Sequence, residues 1–414
     1  MSGDKEMKKK EIIVIGGGAS GMMAAIAASS KDSEVLLLEQ KDRVGKKLLS
    51  TGNGKCNLTN SYQGQECYRG RHPEFAWEVF RQFSYEDTIA FFSKLGIYIK
   101  NKNQGIYPFS EQASAVVDVL RMGLSEHGVR VHTGQKVLFI EKKKRFFVQT
   151  EKERWEGDAV ILASGGKAAP MTGSDGWGYE LAKNFGHHIL QPLPALTQLV
   201  SKERFLKGLA GVRCEAVITL YLDEKEEAKE RGELQLVDYG LSGIPIFQLS
   251  RFASRGIYKK KKALAKIQFL PDMKEEEGRR LITERIRLHP HRRGEEILTG
   301  LFHKKLNSCL LKRAGIKGDS LCGEWKEEEI LRLVELIFHF SVSIEKVNNF
   351  EKAQVTMGGV DTKELKETLE SRKAPGLFFA GEIIDIDGMC GGYNLQWAWS
   401  SGYVAGINSI GAKP

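Results

Sequence analysis

The 414-residue sequence contains no C-x-x-C pair, and its six cysteines (Cys56, Cys67, Cys214, Cys309, Cys322 and Cys390) are scattered. That argues against a zinc site, a thioredoxin-like dithiol and a secreted disulfide scaffold, and it points to a reducing cytoplasm. No stretch approaches the run of about 20 apolar residues that a membrane span needs. The uncharged stretch Ile12 to Ser30 follows Lys8, Lys9 and Lys10 and imitates a signal peptide. Three consecutive glycines in its middle and a strand ending on Glu39 just beyond argue against that reading. Internal repeats and low-complexity linkers are absent. The basic runs Lys259–Lys262 and Arg285–Arg293 lack interleaved aromatics, zinc-finger spacing and an amphipathic repeat. They read as solvated faces, and nucleic acid is not an expected partner. His187 and His188 have no third ligand at metal spacing, so packing or helix-end roles are expected and no metal site is predicted. The net charge of +9 suits anionic substrates or acidic surfaces. Nothing in the sequence fixes an oligomeric state.

What is present begins at Ile12. Four apolar residues, Ile12 to Ile15, form a short buried strand, and Gly16, Gly18 and Gly21 follow at G-x-G-x-x-G spacing. Gly16 allows the tight turn, Gly18 keeps side chains away from a pyrophosphate, and Gly21 lets the next helix lie close to the sheet. That helix presents free N–H groups and a partial positive charge to phosphates. A second strand, Val35 to Leu38, ends on Glu39, placed to accept hydrogen bonds from an adenosine ribose. Strand, helix, strand and terminal acid together predict a bound dinucleotide.

The rest of the chain is read in order. Residues 1–10 are expected to be a disordered lead. Arg43 to Asn60 is a long polar loop rich in Gly and Asn, and such loops are usually functional. Lys46, Lys47 and Lys55 bring positive charge there. Cys56 is a candidate redox thiol, with a structural role favoured because it has no partner cysteine. Residues 74–95 are predicted helical with a cap at Ser84, and 112–127 form another amphipathic helix. Residues 129–140, 145–150 and 158–163 are strands. The last reaches Ala163 and opens into Ser164-Gly-Gly166. From about residue 195 the composition changes. Arg213 to Leu222 alternates as a half-buried antiparallel strand. Glu224 to Glu233 reads as a charged hairpin tip, a solvated loop, residues 234–250 and 263–270 as a continuing strand-rich region, and 274–340 as charged helices. Tyr239, in a Gly-rich loop, is a candidate proton donor, with packing as the competing role. Near the end, a strand from Gly376 leads to Gly381 and Glu382. Gly388 to Gly392 then open a helix near Asn394. This second helix N-terminus would stabilise negative charge on an electron-accepting ring.

These motifs resemble the BaiN/YhiN-like FAD-binding flavoproteins, also described as the aminoacetone oxidase family. The marks are Ile15-Gly-Gly-Gly-Ala-Ser-Gly21, Lys47-Leu-Leu-Ser-Thr-Gly-Asn-Gly-Lys-Cys-Asn-Leu-Thr-Asn60, Thr356-Met-Gly-Gly-Val360, and Ala380-Gly-Glu382 through Gly391-Gly-Tyr-Asn-Leu-Gln396. The resemblance implies an α/β fold. A split Rossmann-type FAD-binding domain (11–194 and 350–410) flanks an inserted β-rich, barrel-like substrate domain (195–349) with a helical segment over 274–340. It implies that Gly16, Gly18, Ala19, Ser20 and Gly21 hold the pyrophosphate and that Glu39 and Gln40 lie by the ribose. Lys46, Lys47 and Asn53 would line the cofactor, with Val137 at its adenine end and Ala163 beside it. Gly381, Glu382, Asn394, Leu395 and Gln396 would reach the ribityl and isoalloxazine portions. Many relatives carry Thr-His where this chain has Val237-Asp-Tyr239, so no histidine chemistry is carried over there.

The expected activity is that of an FAD-dependent oxidoreductase acting on a small molecule. Reduction of a carbon–carbon double bond conjugated to a 3-oxo group in a steroid or bile acid comes first. An aminoacetone-type amine oxidase using oxygen is the alternative, and a non-enzymatic flavin-bearing or nucleic-acid-associated protein is the third reading. No second strand–G-x-G-x-x-G–helix unit exists, so NAD(P)H as electron donor would have to visit the substrate face.

Overall fold

The computed structural model describes residues 9–411, so most of the lead expected over residues 1–10 lies outside the described residues. The chain forms two compact units: one runs up to Leu193 and resumes at Gln354, and the other spans Pro194–Ala353.

The first unit is built on β1 (Lys10–Ile15), whose residues Ile12 to Ile15 are all buried. A strand buried on both faces needs a continuous apolar run, which is what its sequence supplies. It is flanked in parallel by β2 (Ser33–Glu39) and by the strand Ala159–Leu162. Arg130–Thr133 and Leu377–Phe379 complete a five-stranded sheet at its two edges. The strand expected over 129–140 is in fact two. Gly134, at φ +63°, turns the chain, and Val137–Lys142 joins a separate antiparallel sheet with Phe146–Thr150 and Arg154–Gly157. The cap at Ser84 is a full capping box with Asp87 and starts the helix Tyr85–Lys94.

Helix α1 (Ala19–Ala28) is apolar all round because it is buried all round. The C-terminal helix Tyr393–Gly411 packs against it. Small residues make that close approach work. A Cβ on Gly402 would lie 2.4 Å from the Ser20 carbonyl oxygen, and one on Gly406 would lie 2.6 Å from that of Ala24.

The second unit has its own core and a seven-stranded antiparallel sheet. The stretch Phe340–Ile344 pairs with Ala263–Gln268 at one edge, and Lys346–Val347 pairs with Leu199–Val200 at the other. One continuous segment thus joins both edges, and the sheet closes like a barrel. Two sequence expectations change here. The charged stretch 224–233 is strand, not loop: Lys225–Val237 pairs with Arg213–Leu222 along its length. The turn is only Asp223-Glu224, both left-handed as a tight hairpin requires. Residues 234–250 are not all strand, because Gly243 and Pro245 start the helix Ile244–Tyr258. The helices expected over 274–340 are Glu275–Leu288, Gly294–Ile297, Lys304–Ala314 and Glu327–Phe338.

Gly402→Ala checks the helix contact. Alanine in a helix interior ordinarily stabilises by about 1 kcal/mol over glycine. Here the added methyl meets backbone, so urea unfolding should show a net loss of about 1–3 kcal/mol. A gain in stability would show that the two helices do not lie this close.

Candidate cofactor site

Two glycine-rich devices, one near each end of the chain, meet at the C-terminal edge of the parallel sheet. In the first, the Gly16 N–H donates to the Leu38 carbonyl at 2.8 Å, and the Ala163 N–H donates to that of Ile15 at 2.9 Å. Gly16 has φ +105°, and a Cβ there would lie 2.5 Å from the Ala163 carbonyl oxygen. A Cβ on Gly21 would lie 1.8 Å from the Gly16 oxygen, so only glycine fits either place. Gly18 differs: a side chain there would meet nothing within 4 Å, and as N-cap it gives α1 no side-chain hydrogen bond. Open space therefore lies over uncapped amides of a helix N-terminus, the geometry that suits a pyrophosphate.

Glu39 is buried, and its carboxylate accepts from the Gly17 and Lys41 N–H groups, each at 2.7 Å. Burial raises its pKa, while those two bonds and the charges of Lys41 and Lys46 oppose the rise. Each carboxylate oxygen keeps a second lone pair for a ribose hydroxyl. The Gln40 side chain donates to the Gly173 carbonyl and ties β2 to the loop after Pro170. Lys46 is paired with Asp42. Val137 is buried, and its carbonyl accepts from Trp177 Nε1 at 2.9 Å. Asn53 is exposed and left-handed between two left-handed glycines.

The second device is organised by Glu382. Its Oε2 pairs with Lys47 Nζ at 2.5 Å, and its Oε1 accepts from the Thr356 N–H at 2.7 Å. Thr356 Oγ1 in turn accepts from the Lys167 and Ala168 N–H groups at 2.8 and 2.9 Å. Gly381, at φ +80°, sits against Ser20, where a Cβ would lie 2.4 Å from Ser20 Oγ. Ser20 Oγ donates to the Ala380 carbonyl at 3.3 Å and so ties the two devices together. Gly391 and Gly392 both have positive φ, and Asn60 Nδ2 donates to the Gly391 carbonyl at 3.0 Å.

The side-chain amides of two expected contact residues are engaged within the protein. Asn394 spends its amide on its own loop: Oδ1 accepts from the Gly388 N–H and Nδ2 donates to the Gly388 carbonyl, both at 2.8 Å. Gln396 is fully buried, and its Nε2 donates to Thr88 Oγ1 at 3.0 Å and to the Ser84 carbonyl at 3.2 Å. Both residues follow the glycine pair in sequence, but the helix turns their side chains into the protein. Leu395 is partly buried against the core. This segment offers a ligand backbone rather than side chains. Thr356 and Asn60 clamp these loops, roles that long-range contacts create and sequence order does not show.

The donor set fits a dinucleotide. Beyond the open face at Gly18, Ser164 Oγ beside the cradle is buried and has no hydrogen-bond partner among the described residues. Among the described residues, no cluster of three or more His, Cys, Asp or Glu could hold a metal ion, and no helix is long and apolar enough to cross a membrane. His187 is buried between Glu364 (3.0 Å) and Ser371 (2.8 Å), a packing role, and burial lowers its pKa despite the carboxylate. Tyr239 belongs to the second unit. Its carbonyl accepts from the Ser201 N–H at 2.9 Å, and burial first, then Asp238, raises the pKa of its half-exposed phenol.

The family described as HI0933-like protein Rossmann domain matches residues 10–408. The chain is 43% identical over 377 residues to the 3-dehydro-bile acid delta(4,6)-reductase of Clostridium scindens, covering 91% of this chain and 92% of that protein. It is 30% identical over 384 residues to a ribosomal RNA dihydrouridine synthase of Escherichia coli K12, with 92% of each covered. Among solved structures, a 3-ketosteroid-delta4-(5alpha)-dehydrogenase from Rhodococcus jostii RHA1 superimposes with a TM-score of 0.47 at 15% identity, covering 99% of both chains.

Burial pushes the Cys56 thiol up to about 12, against a hydrogen bond from Thr51. A thiolate is the reactive form. Iodoacetamide at pH 8 should therefore leave Cys56 unlabelled in the folded protein and label it in urea, as read by peptide mass spectrometry. Labelling at the rate of an exposed cysteine would refute the structural role.

Proposed function

The chain belongs to the HI0933-like Rossmann family, and from that premise we propose an FAD-dependent reductase of a carbon–carbon double bond conjugated to a 3-oxo group, in a steroid or bile-acid intermediate, with NAD(P)H as electron donor. The observation that carries this reading is the 43% identity, over nine-tenths of both chains, to a protein named for that reaction. The cradle supports it from the chain's own chemistry. Bound there, FAD supplies hydride transfer. The α1 N-terminus would hold its pyrophosphate and Glu39 its ribose. Lys47, held by Glu382, places a cation in the cofactor cradle, and the start of the C-terminal helix adds a positive dipole end. Glu382 balances the Lys47 charge, so the helix dipole is the device that would favour added negative charge on the ring. The substrate gains a hydride at its β carbon and a proton at its α carbon. The Tyr239 hydroxyl, protonated at neutral pH as an ordinary phenol is, is the candidate donor of that proton.

A second reading comes from the relatives named ribosomal RNA dihydrouridine synthase. Making dihydrouridine also saturates a double bond conjugated to a carbonyl. The same reaction class would then act on a base in RNA.

Anaerobic mixing decides between donors and acceptors. NADH or NADPH should bleach the flavin absorbance, and a 3-oxo-4,6-diene steroid should restore it. Bleaching by aminoacetone alone, reversed by air, would make the protein an amine oxidase. Restoration by uridine-containing RNA but not by the steroid would move the substrate to RNA.

Two substitutions accompany this test. Glu39→Ala should lower retained FAD at least tenfold after dialysis, because it removes the ribose acceptor and strands two amides. Unchanged flavin content would remove Glu39 from the site. Tyr239→Phe should slow restoration by the steroid about 100-fold while FAD stays bound. Wild-type rates would remove Tyr239 from the chemistry.

A further inference from the structure

A small sheet in the first unit presents an exposed face that the cofactor site does not use. Ile99–Lys102 and Gly105–Pro108 form an antiparallel hairpin, and Thr59–Asn60 pairs on the outer side of Gly105–Pro108. The two-residue tip Asn103-Gln104 is left-handed at both positions, which fixes the register. Strand alternation puts Tyr98, Lys100 and Lys102 on one side, and cross-strand pairing adds Phe109 opposite Tyr98 and Tyr107 opposite Lys100. Tyr98 is 84% exposed and Phe109 69% exposed. Lys100 Nζ lies 5.6 Å from the Phe109 ring centroid. Lys100 also pairs with Glu111 at 2.5 Å, and Lys55 pairs with the same carboxylate at 2.8 Å. With Lys102 exposed, three cations stand against one anion around two bare aromatic rings.

Aromatic rings at one end of an open sheet face with lysines beside them are an arrangement on which nucleotide bases stack while their phosphates meet cations. Tyr98 to Lys102 spans about 14 Å of strand. That suits two linked nucleotides better than a long polymer track. The face also adjoins the cradle. Asn60, on the third strand of this sheet, holds the Gly391 carbonyl, and a Cβ on Gly392 would touch the Thr59 backbone. Two strand spacings, about 10 Å, separate that strand from Lys102, and Lys100 and Tyr98 follow along the same strand at about 7 Å intervals.

We propose that this face docks the reduced nicotinamide dinucleotide, with its adenine stacked on Tyr98 and Phe109 and its phosphates against Lys100 and Lys102. The inference rests on the reductase reading, and it explains how a chain with one dinucleotide fold takes a second dinucleotide as donor. The dihydronicotinamide gives up one hydride, two electrons with a proton, and leaves as the oxidised dinucleotide. By way of the cofactor that hydride ends on the substrate's β carbon, and a proton completes the α carbon.

The test uses the FAD-loaded protein in anaerobic stopped flow with NADH and NADPH. Tyr98→Ala with Phe109→Ala should raise the apparent Kd for the donor about tenfold or more. The limiting bleaching rate, flavin content and thermal midpoint should stay unchanged. Lys100→Gln with Lys102→Gln should weaken binding and flatten its salt dependence. Wild-type Kd values in both double variants would overturn the proposal. So would a wild-type protein that neither nicotinamide bleaches; restoration of its dithionite-reduced flavin by the steroid dienone would then leave the reductase reading standing. The reverse result, weakened donor binding in the variants with no acceptor among the enones, would keep the docking face and remove the reductase reading. Loss of affinity for a uridine-containing RNA oligonucleotide with unchanged nicotinamide binding would also overturn it and assign the face to RNA.

Discussion

One carboxylate holds the cofactor cradle together. Glu382 receives the Lys47 ammonium on one oxygen and the Thr356 amide on the other, and Thr356 passes the constraint to the amides of Lys167 and Ala168. Four stretches that lie far apart in the chain are fixed by a handful of hydrogen bonds, two of them charge-assisted. Lys47 and Glu382 are largely sheltered, so each would be costly to leave without its partner. The glycines around this knot are needed for the same reason. A Cβ on Gly166 would come within 2.5 Å of Thr356 Oγ1 and 3.0 Å of Glu382 Oε1.

The first device could be read directly from sequence because its physics is local. Strand, turn, helix and terminal acid occupy one short stretch, and each residue type answers a need of its neighbours. The second device was harder. Gly381, Gly391 and Gly392 announced close approaches, yet what they approach (Ser20, Thr59, Asn60) lies hundreds of residues away in sequence. Asn394 and Gln396 look like ligands when only their order is known. Helix geometry turns one amide back on its own loop and buries the other against Ser84 and Thr88.

In the second unit, the error over 224–233 has a physical cause. A hairpin strand whose two faces are both wet has no apolar alternation to betray it, and only Leu234 and Leu236 at its far end are buried. The helix at Ile244 was announced by Gly243 and Pro245, whose start signal outranked the apolar run around them. The hairpin bearing Tyr98 and Phe109 shows the reverse limit. Neither residue stands out in sequence, because a surface aromatic pair exists only once two strands are in register.

The parallel sheet takes its central strand from Lys10–Ile15 and an edge strand from Leu377–Phe379, and α1 is covered by the C-terminal helix. On the ribosome this imposes an order. The whole of Pro194–Ala353 is synthesised before the edge strand and covering helix exist, and it carries its own core. The middle of the chain can therefore fold while the first half of the other unit waits with the apolar surface of α1 uncovered. Loop closure over that distance is slow, and an apolar surface left waiting is prone to aggregation. The two halves of the cradle can meet only after the whole of Pro194–Ala353 has been synthesised between them.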